Sequence, residues 1–299
     1  PQEAKKWDAM QYATKSLIAS LYGVCGDSKY GLYHPKVADA ITFTSRQTLG
    51  QLRDLCNDRG HEVVYGHTDS VFVRIDTPED GVELCKDLNF VMDPIVVEFE
   101  RWAERMLIKA KNRYAGMVTW MEGSSLPEAD YYVKGIELKQ ARMPQAMKDT
   151  MYATLKGMLH GQTQDEVNET ISGLISDVVL GKVPIEDLCM KGSLSRPLHR
   201  YKSLSGTSAA AQWAFDKLGV EFEEDDYFLC LIDSEGQYIG FPNESYIPKI
   251  VDSGLAKIGY EQIAERFIVK KVGDLYEIAG WDQQVLQNAL RGTEAIVWL

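Results

Sequence analysis

The stretch VVYGHTDSVFV, residues 63–73, decides how the chain is read. Two arms of β-branched and aromatic residues flank a polar quartet, His67-Thr68-Asp69-Ser70, and that pattern predicts strand, tight turn, strand. A carboxylate on such a tip stands clear of the sheet, which makes Asp69 a candidate metal ligand. A single carboxylate seldom holds a catalytic Mg²⁺ by itself, so a partner acid has to be found. An Asp placed there only for its turn chemistry is the competing reading.

Outward from the hairpin, residues 3–21 set Trp7, Met10, Leu17, Ile18 and Leu21 at near-helical spacing and Gly23 marks an expected end. Lys15, Ala19 and Tyr22 fall on one face of that helix. Residues 35–57 predict a second helix, with Pro35 in its first turn and Gly60 beyond its end. A third is expected over 79–98, then strands at RMLIKA (105–110) and RYAGMVTW (113–120), a loop over MEGSSLPEAD (121–130) and a strand at YYVKGIEL (131–138). In KAKNRYAG (109–116), Lys109, Lys111 and Arg113 alternate, so on a strand they would share a face. From Pro144 the pattern turns helical over 145–159, 164–180 and 206–219, with a strand at DYFLCLID (226–233).

The composition is that of an ordinary globular chain: 299 residues, 45% hydrophobic and 25% charged. No apolar run reaches membrane-spanning length and the N-terminus has no apolar signal core, so no membrane is expected and a cytoplasmic location is. The odd cysteine count, five without C-x-x-C spacing, favours neither a disulfide framework nor a zinc site. A formal charge of −12 excludes a wholly basic nucleic-acid binder but not a local basic groove.

Taken in order, these pieces resemble the C-terminal part of a family B DNA polymerase, as found in T4-like phage and archaeal enzymes. KSLIASLYG (15–23) resembles the fingers motif K-x-x-x-N-S-x-Y-G, YGHTDS (65–70) the palm motif Y-G-D-T-D-S, and KNRYAG (111–116) the K-K-R-Y motif. WMEG (120–123) and KGIELKQARMP (134–144) resemble the palm-to-thumb passage. The fold so implied is α+β: a fingers helix (1–30), a palm sheet with helices (31–143) and a mainly helical thumb (144–299).

The resemblance also implies roles. Asp69 matches the carboxylate that binds both metals of a two-Mg²⁺ phosphoryl-transfer site, the ions lying about 3.5–4 Å apart. Lys15 matches the lysine on the incoming triphosphate, with Tyr22 and Gly23 beside the nascent base pair. Lys111, Asn112, Arg113 and Tyr114, with Lys139 beyond them, match the grip on primer-template DNA. Thr68, His67, Glu122 and Glu137 fall near the metal site, and dNTPs are the implied substrates. A solvated lysine at 15 and a core tyrosine at 22 remain open readings.

Three positions depart from the family pattern: His67 replaces an Asp, Ala19 an Asn and Asn112 a Lys. Motif A, which carries the second metal-binding aspartate, does not occur, nor does the acidic pattern of the proofreading exonuclease. The expectation is therefore a C-terminal subunit or fragment completed by an N-terminal polymerase subunit that carries both. The alternative is a catalytically decayed module that only binds primer-template duplex. The basic run KGSLSRPLHRYK (191–202) fits phosphate contacts, and the end EAIVWL (294–299) a sliding clamp or a packed tail.

Overall fold

The structure is a computed structural model that describes residues 2–139 and 142–297. It divides into two compact units, Pro1–Trp102 and Ala103–Leu299. Small antiparallel sheets among helices make the chain α+β.

In the first unit α1 (Gln2–Gly26) and α2 (Pro35–Asp58) precede a hairpin of β1 (Val63–His67) and β2 (Ser70–Val73), followed by α3 (Pro78–Met92). The helix α1 runs through Gly23 to Gly26. Proline opens α2 as expected, and Gly60, at φ 83, follows its end. The hairpin pairs His67 with Ser70 across the tip, with a register shift between Val63 and Tyr65. Thr77 and Asp80 close a capping box that starts α3. That helix stops at Met92 and not at 98, because Pro94 lacks an N–H and holds Asp93 extended, at φ −46 and ψ 130. Asn89 then ties down the segment beyond: its amide donates to the Val97 carbonyl and its oxygen accepts the Val97 N–H. The core of the unit sets Leu52 and Cys56 of α2 against Leu84, Leu88 and Met92 of α3, with Val63, Val71 and Val73 packed around them.

The strand β3 (Arg101–Ala110) leads into the second unit, where it lies beside β4 (Arg113–Met121) and then β5 (Ser124–Lys134). The expected loop at 121–130 is mostly β5. A left-handed turn at Glu122 and Gly123, φ 50 and 87, joins it antiparallel to β4. It reads as a loop because it is an edge strand, where polar residues and Pro127 are tolerated. The strand ends at Lys134, since Gly135 takes φ 66 and Glu137–Lys139 form a 3₁₀ turn. The expected alternation of Lys109, Lys111 and Arg113 is broken by a turn at 111–112, with Asn112 at φ 63.

The remainder is mainly helical. It comprises α4 (Gln145–Leu159), α5 (Gln164–Val179), α6 (Ile185–Leu188), β6 (Met190–Gly192), α7 (Thr207–Leu218), β7 (Phe228–Ile232), β8 (Tyr238–Phe241), α8 (Tyr246–Asp252), α9 (Tyr260–Ile263), α10 (Lys270–Ala279) and α11 (Gln284–Val297). Its core is continuous, from Met147, Met151 and Leu155 of α4 through Ile171 and Ile175 of α5 to Leu275, Tyr276, Leu286 and Leu290. Among the described residues no helix is long and apolar enough to cross a membrane.

Candidate active site

The hairpin presents Asp69 at an exposed tip, one residue after Thr68, which is held left-handed at φ 49. The Asp69 N–H donates to the His67 carbonyl at 2.6 Å, and the Ser70 hydroxyl donates to the same oxygen at 3.2 Å. The Asp69 carboxylate accepts no hydrogen bond from the described residues. Both of its oxygens are therefore open to a hard cation. Among the described residues no group of three or more His, Cys, Asp or Glu is placed to hold a metal. His67 is half-buried, its ring stacked on Tyr65 with centroids 6.4 Å apart.

In the same unit, Lys15, Tyr22 and Gly23 lie along α1, and all three are exposed. The Lys15 ammonium makes no ion pair with a described residue. A Cβ built on Gly23 meets nothing within 4 Å, so packing against the described residues does not explain the small residue. Trp7, Leu17 and Ile18 on the same helix are exposed too.

In the second unit the β3–β4 turn carries Lys111 and Asn112, and Arg113 begins β4. Lys111 and Arg113 are exposed and unpaired by any described acid. Tyr114 points the other way: it is only 3% exposed, tilted against Tyr132, with the Lys134 ammonium 5.8 Å from its ring centroid. It shapes the turn from beneath and does not itself face outward. The turn is also fixed by Gly135, since a Cβ there would fall 1.8 Å from the Asn112 carbonyl oxygen. KNRY and KGIEL, separate in sequence, therefore meet in one place.

Glu122 does not join them. It sits just past the opposite end of the nine-residue β4, a strand that spans roughly 26 Å from Arg113 to Met121 at strand spacing. Glu137 is not solvated but buried, at 9% exposure, and part of a charge network. Lys271 reaches its Oε1 at 3.4 Å and Asp274 at 3.8 Å, while Lys109 reaches Asp274 at 3.5 Å. Burial alone would raise the Glu137 carboxyl. Its backbone hydrogen bond and the Lys271 and Lys109 ammonium groups outweigh that and hold it below the usual range. Its Oε2 accepts no hydrogen bond from the described residues. Sequence reasoning missed Lys271 and Asp274, which lie far along the chain on α10 and carry no motif. The Lys139 side chain, the 293–299 side chains and residues 298–299 lie outside the described set.

Further along, the basic run is partly ordered by Tyr201. Its phenolic oxygen accepts the Ser195 N–H at 3.0 Å and the Arg196 guanidinium lies 5.1 Å above its ring. All five cysteines are free thiols. Burial pushes Cys189 and Cys230 up to about 12, so neither is a ready nucleophile.

The model of DNA polymerase family B matches residues 1–215. The chain belongs to the family B DNA polymerases. Similar proteins include the DNA polymerase alpha catalytic subunit of Mus musculus, 22% identical over 83% of this chain and 18% of its own length. DNA polymerase 1 of Saccharolobus solfataricus is 27% identical over 77% of this chain and 26% of its own length, and the DNA polymerase of Archaeoglobus fulgidus is 25% identical over 70% and 26%. The chain therefore spans about a fifth to a quarter of the length of these relatives. The matched region holds Asp69, Lys15 and the KNRY turn of this family B chain, while α8 to α11 lie beyond it.

Proposed function

We propose that the chain supplies the C-terminal catalytic part of a family B DNA polymerase, which moves a nucleotidyl group from a dNTP to a primer 3′ end. Residues 1–30 act as the end of the fingers, 31–143 as the palm and 144–299 as the thumb. Asp69 holds the catalytic cations together with an aspartate from an N-terminal polymerase subunit. Mg²⁺ supplies charge neutralisation on the phosphates when bound. Lys15 neutralises the incoming triphosphate, and Gly23 leaves room for the nascent pair. Lys111 and Arg113 grip primer-strand phosphates without reading sequence, and Tyr114 and Gly135 hold their turn in shape. The run 191–202 adds contacts along the product duplex. Glu122, far along β4 from the KNRY turn, serves the palm-to-thumb passage and Glu137 braces it through α10.

The observation that carries this reading is the open carboxylate of Asp69 on a two-residue tip within the family match. Primer extension by this chain mixed with a matching N-terminal polymerase part tests it. Extension that needs both chains and is lost in Asp69→Ala supports the proposal. A second reading, a module that binds duplex without catalysis, is favoured by His67, Ala19 and Asn112. It predicts salt-sensitive DNA binding by the mixed chains and no extension.

A further inference from the structure

The tip that carries Asp69 is braced in a way the family motif does not contain. Thr68 sits at φ 49, a left-handed conformation that a β-branched residue enters only under constraint. Two-residue hairpin turns ordinarily put Asn, Asp or Gly there. The residue before it touches the Thr68 side chain. The Thr68 Oγ1 lies 3.0 Å from His67 Nδ1 and 3.3 Å from Nε2. The imidazole in turn stacks on Tyr65 at an interplanar angle of 7°, and Tyr65 meets Phe72 of the facing strand at 5.3 Å. The His67 carbonyl takes the Asp69 N–H and the Ser70 hydroxyl. His67 is thus the hub of the tip, touching Tyr65, Thr68, Asp69 and Ser70.

We infer that His67 is a positioning residue: its imidazole, seated on Tyr65, braces Thr68 in the left-handed conformation and so fixes the direction in which the Asp69 carboxylate leaves the tip. The Thr68 hydroxyl lies within reach of either ring nitrogen and can pair with one of them at a time, which ties the ring to the turn. Where the family pattern has a second acid, this chain has a strut. The inference rests on the reading of Asp69 as the cation ligand, and it gives the departure at position 67 a use that does not require lost activity. Holding a ligand to well within an ångström is what such a site needs.

The test compares Thr68→Val, which keeps the β-branch and removes the hydroxyl, with Thr68→Ser, His67→Ala and the Val/Ala double variant, in the chain mixed with its N-terminal polymerase part. Thr68→Val and His67→Ala are each expected to lower kcat on the order of 10- to 100-fold, as small misplacements of a catalytic group do. The dNTP KM is expected to stay within about twofold. The double variant should be no worse than either single, because both break one contact, and Thr68→Ser should recover most of the rate. Mn²⁺ affinity on primed DNA without dNTP should fall in parallel.

If His67 were instead a nitrogen ligand, His67→Ala would weaken Mn²⁺ far more than Mg²⁺ while Thr68→Val changed neither, and the brace would be overturned. Wild-type rate and Mn²⁺ affinity in both variants would overturn it as well. Full activity in Asp69→Ala would instead sink the underlying ligand reading. The brace has its own readout apart from that: in this chain alone, the His67 imidazole ¹⁵N resonances should shift in Thr68→Val, and unchanged resonances refute it.

Discussion

α1 and α5 are long helices of one chain with opposite surroundings. On α5, Ile171 and Ile175 are wholly buried, whereas on α1 Trp7 is 61% exposed and Leu17 65%. Both helices carry apolar residues at helical spacing, and only one has a core to bury them in. Large side chains left in water at such spacing mark a surface meant to be covered. The described residues thus bury the apolar face of α5 and leave that of α1 exposed, which is the face that the proposed N-terminal polymerase part would cover.

The contrast breaks first at the core. Ile175→Ala should destabilise the second unit by about 2–5 kcal/mol, seen as a lower denaturant midpoint. A loss under about 1 kcal/mol would mean that α5 is less firmly packed than its burial implies.

The charge network comes next. Lys271→Met leaves Glu137 without its nearest cation, and a cost of about 2 kcal/mol is expected, below the fully buried case because both side chains retain some exposure. The folded-state carboxyl of Glu137 is depressed. Its contribution is therefore fully present above the unfolded value of about 4.3 and is lost as pH falls through the lower folded value. Glu137→Gln should flatten the acid limb of a stability curve measured from pH 6 to pH 3, and an unchanged limb would contradict the assignment.

Smaller effects follow. Thr163 caps α5 through a capping box with Glu166, and Thr163→Ala should cost about 1 kcal/mol by thermal melting. Leu17→Ser on α1 should change the stability of the isolated chain by no more than about 0.5 kcal/mol, yet weaken its binding to an N-terminal polymerase part. A loss at Leu17 as large as that at Ile175 would end the comparison.

Features written in local chemistry were legible in the sequence. The hairpin at 63–73 declares itself through its turn quartet, α2 through Pro35 and Gly60, α4 and α5 through apolar spacing, and α7 through its small residues and closing Gly219. The strand β5 was not legible, because an edge strand has no need of buried alternation. The end of α3 was written in Pro94, but the apolar run through Val96 and Val97 masks it. At the site, Asp69, Lys15 and the KNRY turn could be picked out by motif. The inward turn of Tyr114 and the pairing of Glu137 with Lys271 could not, since each is set by residues distant in the chain. Gly135 left a signal, a glycine between a strand and an acidic turn, that only the close approach of Asn112 explains.

The most direct test of α1 as an uncovered face is amide hydrogen exchange along the chain, alone and with an N-terminal family B polymerase part. The amides of α1 should exchange fast in the isolated chain and become protected on mixing, while those of α4 and α5 stay protected throughout. Strong protection of α1 in the isolated chain, unchanged on mixing, would contradict an incomplete fingers end and the split-site reading that depends on it.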